Sequence, residues 1–183
     1  MDRRQRKTRE AIFRAFISLL SKRDFHKITV GEIIEKADIG RATFYAHFET
    51  KDDLLKALCE ELFCHIFDAL ADHPGEHRTI FDCDTPDGVF LHLLRHLQRN
   101  DNQILQLLTG QNHELFLGYF SINLEKLVVN QLPVFADRKS EMLPDSLWIH
   151  HITTTFVETV RWWLKQGMQE SPEKIAEYFY LCV

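Results

Sequence analysis

The chain has 183 residues, 45% apolar and 27% charged, with 14 Phe against 7 Gly and 5 Pro. That balance excludes wholesale disorder, and the scarcity of chain breakers favours long helices. The net charge of −5 argues on its face against a nucleic-acid partner, yet it is unevenly spread: residues 1–50 hold 11 Lys and Arg against 7 Asp and Glu, and residues 51–183 hold 11 against 20.

In chain order, residues 7–23 set Ile12, Phe16, Leu19 and Leu20 on one stripe of an amphipathic helix. Asp24 to Lys27 breaks it. Thr29 and Glu32 have the spacing of a capping box, with Ile28 and Ile33 as a hydrophobic staple, so a helix starts at Thr29 and runs to Ala37. Asp38-Ile39-Gly40 supplies a three-residue turn, and Gly40 is a tolerable N-cap. A short helix over Arg41 to Phe48 follows, with Phe44 and Phe48 inward. Thr50 caps a longer one to about Ala71, with Asp52 and Asp53 in its first turn where the dipole favours acids.

Residues 73–86 read as a loop, followed by helices over about 87–99, 102–109 and 112–132. A second loop at 133–144 precedes a helix at 145–167, ended by Gly167, and a last helix opened by Ser171 and Pro172. No strand alternation or internal repeat occurs. The expectation is an all-α chain of about nine helices: a helix-turn-helix unit at 1–50 and a helical regulatory and dimerisation unit at 51–183.

Cys59, Cys64, Cys83 and Cys182 form no CxxC pair, which suits a reducing compartment. No apolar h-region follows Arg3, Arg4, Arg6, Lys7 and Arg9, and no apolar run is long enough to span a bilayer. A cytoplasmic location is expected.

Two short helices joined by a tight turn and braced by a preceding helix form a helix-turn-helix arrangement. With Phe44 and Phe48 inward, the opposite side of the second helix belongs to Ala42, Thr43 and Ala46, flanked by Arg41 and Tyr45. Two alanines let a helix approach the major-groove floor and touch thymine methyls, and Arg41 is placed for a guanine edge or a phosphate. Thr43, Tyr45 and His47 are donors suited to phosphate oxygens. Lys51 stands at the first position of its helix and opposes the dipole, a destabilisation that a DNA phosphate would offset. The N–H groups at the start of the Thr29 helix offer a second anion site.

The stretch from Thr29 to Leu55 resembles the DNA-binding signature of the TetR/AcrR family of transcriptional regulators: the capping box, the Thr43-Phe44-Tyr45-x-His47-Phe48 core and the Thr50-Lys51-Asp52-Asp53-Leu54 helix start. The resemblance implies that Arg41, Ala42, Tyr45 and Ala46 face bases and that Thr29, Thr43, His47 and Lys51 face phosphates. Gly40 departs from the usual Ser of that family, and Ala42 from a frequent Gly. It further implies a helical C-terminal half that dimerises and often encloses a small-molecule pocket. The run from Arg161 to Ala176 resembles a C-terminal type that includes activators of dihydroxyacetone kinase operons, which answer to a partner protein.

The 145–167 helix carries two stripes. Trp148, His151, Thr155, Glu158 and Trp162 are mixed in character and suit the lining of an effector pocket. Ile149, Ile152, Phe156, Val160 and Trp163 are purely apolar. With Ile175, Tyr178, Phe179 and Cys182 of the last helix they suit a four-helix dimer interface. His92 and His96 have the spacing of two metal ligands, but among Phe90, Leu93, Leu94 and Leu97 they fit the solvent flank of the helix. No metal, cofactor or catalytic residue is assigned.

The expected function is a regulator that binds double-stranded DNA as a homodimer on a pseudo-palindrome: a repressor responsive to a ligand or partner, or an activator of a metabolic operon under a co-regulator protein. A small helical enzyme is the rival class, and no nucleophile elbow, Walker loop or HExxH motif supports it. An interaction module that has lost DNA binding is the third reading.

Overall fold

A computed structural model describes residues 3–70, 88–99 and 112–183, which form eight α-helices and no strand. They are α1 (Arg3–Leu20), α2 (Val30–Ala37), α3 (Arg41–Tyr45), α4 (Lys51–Leu70), α5 (Val89–Arg99), α6 (His113–Gln131), α7 (Asp145–Lys165) and α8 (Pro172–Cys182). The expected loop at 73–86 and helix at 102–109 lie outside the described residues. Among the described residues two 3-10 segments join the helices, Phe25–Lys27 and Leu132–Arg138, the second where a plain loop is expected.

Local chemistry sets the helix ends. At α2 the capping box is complete: Thr29 Oγ1 accepts from the Glu32 N–H at 3.2 Å, and Glu32 Oε2 accepts from the Thr29 N–H at 2.8 Å. The same reciprocal pair starts α4, where Thr50 Oγ1 accepts from the Asp53 N–H at 3.0 Å and Asp53 Oδ2 from the Thr50 N–H at 3.0 Å. Gly167 ends α7 at φ 68°, with the Met168 N–H on Trp163 O and the Gly167 N–H on Leu164 O, both at 3.0 Å. That is a Schellman motif, and the left-handed conformation is where glycine is least strained.

A continuous core runs through both halves. In the first, Phe13, Phe16, Phe25, Phe44 and Phe48 hold α1 to α3 together. In the second, Phe90 of α5 is the hub, with ring centroids 5.2 Å from Phe156 and 4.8 Å from Phe179. Helix α6 packs on α4 and α7, and α8 on α5 and α7. His92 and His96 are 4% and 1% exposed, with Nε2 atoms 2.9 Å apart, so the pair belongs to the interior and not to a solvent flank. This helix packs on both α4 and α8, so more of its circumference is covered than a single apolar stripe.

Candidate nucleic-acid interface

Helices α2 and α3 meet across the turn at 38–40. Asp38 closes α2 in the left-handed region at φ 53°, with the Ile39 N–H on Ile34 O at 3.2 Å. Helix α3 opens at Gly40 and is shorter than the expected Arg41–Phe48, because the His47 and Phe48 N–H groups both turn onto Phe44 O, at 2.9 and 3.0 Å.

Phe44 is fully buried and Phe48 4% exposed, and their rings pin α3 against Phe13 of α1. Arg9 lies over the Phe13 and Phe48 rings at 4.9 and 5.2 Å and reaches Glu61 of α4 at 3.5 Å. The outward face is therefore fixed. Arg41, Ala42, Thr43, Tyr45 and Ala46 are all exposed on it, with Tyr45 braced edge-on against Phe44 at 5.5 Å. His47 is half-buried, and burial, then the Arg9 cation, lowers its pKa below 6.5. At neutral pH it is an uncharged imidazole, a hydrogen-bond donor but not a counter-charge.

Two expected phosphate ligands have other partners. Lys51 Nζ donates to the carbonyls of Phe25, Ile28 and His26, at 2.8, 3.0 and 3.3 Å, and lies 4.5 Å from the centre of the Phe25 ring. An ammonium has three protons, and here the chain's own carbonyls take all three. The counterpart to its charge at the α4 start is a set of carbonyl dipoles at the Phe25–Lys27 turn. Thr29 likewise donates its hydroxyl proton to Glu32 Oε2 at 2.9 Å, so its side chain serves the cap. The first N–H groups of α2 and α4 have no i−4 carbonyl acceptor, which leaves main-chain donors at both ends.

Residues 20–28, which lead from α1 into α2, are held from the other side by Asn112. Its Oδ1 accepts from the Phe25 N–H at 2.7 Å, and its Nδ2 donates to Arg23 O at 2.8 Å and Leu20 O at 3.0 Å. Nothing in the sequence marks this residue beyond an Asn ahead of a helix, since its partners are about ninety positions away.

The two stripes of α7 differ in burial. Ile152, Phe156, Val160, Trp163, Ile175 and Phe179 are 0–1% exposed within a single chain, and Ile149 packs against that core. The six buried side chains are consumed by the fold, while Ile149 and Tyr178 are half-buried and Cys182 is exposed. Trp148 is 7% exposed, its ring stacked on His151 at 5.3 Å, while His151, Glu158 and Trp162 face outward and Thr155 is half-buried. Thr155, Glu158 and Trp162, with Tyr178 and Cys182, line an open groove of about 620 Å³ between α7 and α8 instead of an enclosed pocket. A second groove of about 320 Å³ lies between α6 and α7, and the exposed Thr154 and Glu158 form the ridge between the two.

A solvent-facing recognition helix on a three-helix head, carried by an all-helical second half, defines a helix-turn-helix DNA-binding transcriptional regulator. Residues 9–58 match the family profile described as bacterial regulatory proteins, tetR family, and residues 84–182 match one described as transcriptional regulator C-terminal region. The TetR transcriptional regulator from Streptococcus agalactiae 2603V is 35% identical, covers 97% of this chain and 94% of its own, and superposes with a TM-score of 0.70. The chain belongs to the TetR family.

Two curated relatives extend the likeness. The HTH-type transcriptional regulator YxbF of Bacillus subtilis is 28% identical over 190 residues, spanning 98% of this chain and 45% of that protein. The HTH-type dhaKLM operon transcriptional activator DhaS of Lactococcus lactis is 27% identical over 126 residues, spanning 68% of this chain and 62% of that protein. The chain thus spans about half the length of the curated relatives it matches. Family membership places it among transcriptional regulators, and no described helix is long and apolar enough to cross a membrane.

Proposed function

We propose that the protein is a cytoplasmic repressor that binds a pseudo-palindromic operator as a homodimer and releases it on binding a small molecule or a partner protein. The observation that carries this reading is the exposed face of α3, in which Arg41, Ala42, Thr43, Tyr45 and Ala46 stand clear of a core that fixes Phe44. Arg41, Ala42, Tyr45 and Ala46 are the base-reading set. Thr43, His47 and the first N–H groups of α2 and α4 are the phosphate set, in place of the Thr29 and Lys51 side chains. Residues 1–50 form the reading head and 51–183 the regulatory half, with α4 carrying the chain from one to the other.

The second copy is seated on the outward faces of α7 and α8. A ridge of Thr154 and Glu158 between two grooves offers a surface into which a second copy's ridge can fit, and Trp162 at 44% and Leu181 at 77% exposure supply apolar anchors. Two α3 helices would then enter successive major grooves about 34–36 Å apart. The likeness to the DhaS activator supports a second reading, activation of a metabolic operon under a co-regulator protein. Selection of bound sequences from a random DNA pool tests the proposal. Recovery of an inverted repeat with one-turn half-site spacing is expected, and enrichment of no sequence would defeat it. Transcription from the recovered site, with and without the protein, then separates repression from activation.

A further inference from the structure

We infer that Asn112 is a positioning residue for the DNA-reading head, through which the placement of α6 sets the geometry between α1 and α2. Asn112 occupies the N-cap of α6, yet makes no capping bond to its own helix. An N-cap Asn ordinarily spends its side-chain oxygen on the first turn. Here all three of its side-chain bonds go to the main chain of residues 20–25, about ninety positions away. Leu20 is the last residue of α1; Ser21, Lys22 and Arg23 satisfy the Ile17, Ser18 and Leu19 carbonyls, and Asn112 supplies the donor for the remaining Leu20 carbonyl and also fixes the N–H that opens the Phe25–Lys27 turn. The side chain is 7% exposed, so no water stands ready to replace it.

The same segment is gripped by Lys51 through the carbonyls of Phe25, His26 and Ile28. Lys51 belongs to α4 and Asn112 precedes α6, and those two helices pack on each other. A displacement of α6 along α4 therefore pulls the 20–28 connection between its two grips, and that connection directs α2 and, through it, α3. Buried main-chain bonds of this kind keep the connection in one arrangement or lose all three, which suits a two-state relay. This inference rests on the reading that the regulatory half governs the head.

All three tryptophans, Trp148, Trp162 and Trp163, lie on α7, so tryptophan fluorescence reports the regulatory half while circular dichroism reports the whole chain. The test uses Asn112→Ala and, in case that variant fails to fold, Asn112→Ser, whose hydroxyl retains part of the bonding. The probe is the DNA recovered from the random pool with the wild-type chain. In the wild type, saturating DNA is expected to raise the tryptophan-monitored unfolding midpoint. In the variants, well below that midpoint, affinity should fall at least about fivefold and the DNA-induced rise should shrink by half or more. Variants that melt earlier but bind within twofold of wild type, with the full DNA-induced rise, would show Asn112 to be a structural cap alone and overturn the inference. If the wild type itself binds no DNA, the DNA-binding reading fails first. The relay is then judged by amide exchange at Lys27 and Ile28, which must accelerate in the variants about tenfold more than exchange in α7; equal acceleration overturns it.

Discussion

Lys51 is the residue at which local electrostatics and tertiary structure give different answers. A cation in the first turn of a helix is unfavourable by a few tenths of a kcal/mol on its own. Three carbonyls and an aromatic face turn that position into a clamp on the Phe25–Lys27 turn. Lys51→Met keeps the stem and removes the donors, and should destabilise the fold by about 1–3 kcal/mol. Urea unfolding measures that loss. The slope of log affinity on log salt should change by less than about half a unit, because no phosphate contact is deleted. Glu32 makes the complementary case in the acid range. Hydrogen bonds from the Thr29 main chain, then from Arg23 and the Thr29 hydroxyl, lower its pKa from 4.5 to about 2. A depressed folded-state pKa adds stability above the unfolded value and loses it as pH falls through the folded one. Between pH 4.5 and 2 the wild type should therefore lose stability that Glu32→Gln does not lose, seen as a flatter stability profile for the variant in acid unfolding.

At the scale of the element, the head is built from ends more than from middles. Thr29 and Glu32, Thr50 and Asp53, and Gly167 each act within four or five residues, so the boundaries they set were legible in the sequence. Asn112 and Lys51 act across 87 and up to 26 positions, and no local pattern records a partner that far away. The stripes of α7 show the same division. Both were legible as stripes, but an apolar stripe fits a core and a dimer seam equally well, and only the packing of Phe156 and Trp163 within one chain decides between them. Gly40 is the element end where sequence and structure together leave a gap. It starts α3 at φ −77° with no side-chain cap, and a Cβ placed there meets only Thr43 Oγ1 at 3.7 Å, an ordinary contact. Gly40→Ser can then supply the missing acceptor without strain, and should raise stability by a few tenths of a kcal/mol in thermal unfolding. A fall instead would mean that the α3 start cannot accept a cap.

For the whole molecule, charge and shape assign the two ends different partners. The basic residues of 1–50 sit on the part that carries α3, while the surplus of 20 Asp and Glu over 11 Lys and Arg lies in 51–183. An acidic body repels the duplex and confines it to the head, so a chain of net charge −5 still suits DNA. A single head offers a small footprint, and two heads held by one rigid seam multiply it without a new contact. In the proposed dimer the seam has to be a face that the protomer does not use, which the Thr154 and Glu158 ridge satisfies and the buried stripe does not. If that ridge is the seam, Thr154→Arg places a long side chain in it and, Thr154 being exposed, should shift the stability of the protomer by no more than about 0.5 kcal/mol. The dimer dissociation constant should rise about 30-fold or more in sedimentation equilibrium. Affinity for a full inverted repeat should fall with it, towards the value for a single half-site. A variant that stays dimeric and binds the full repeat unchanged would place the seam elsewhere on the molecule.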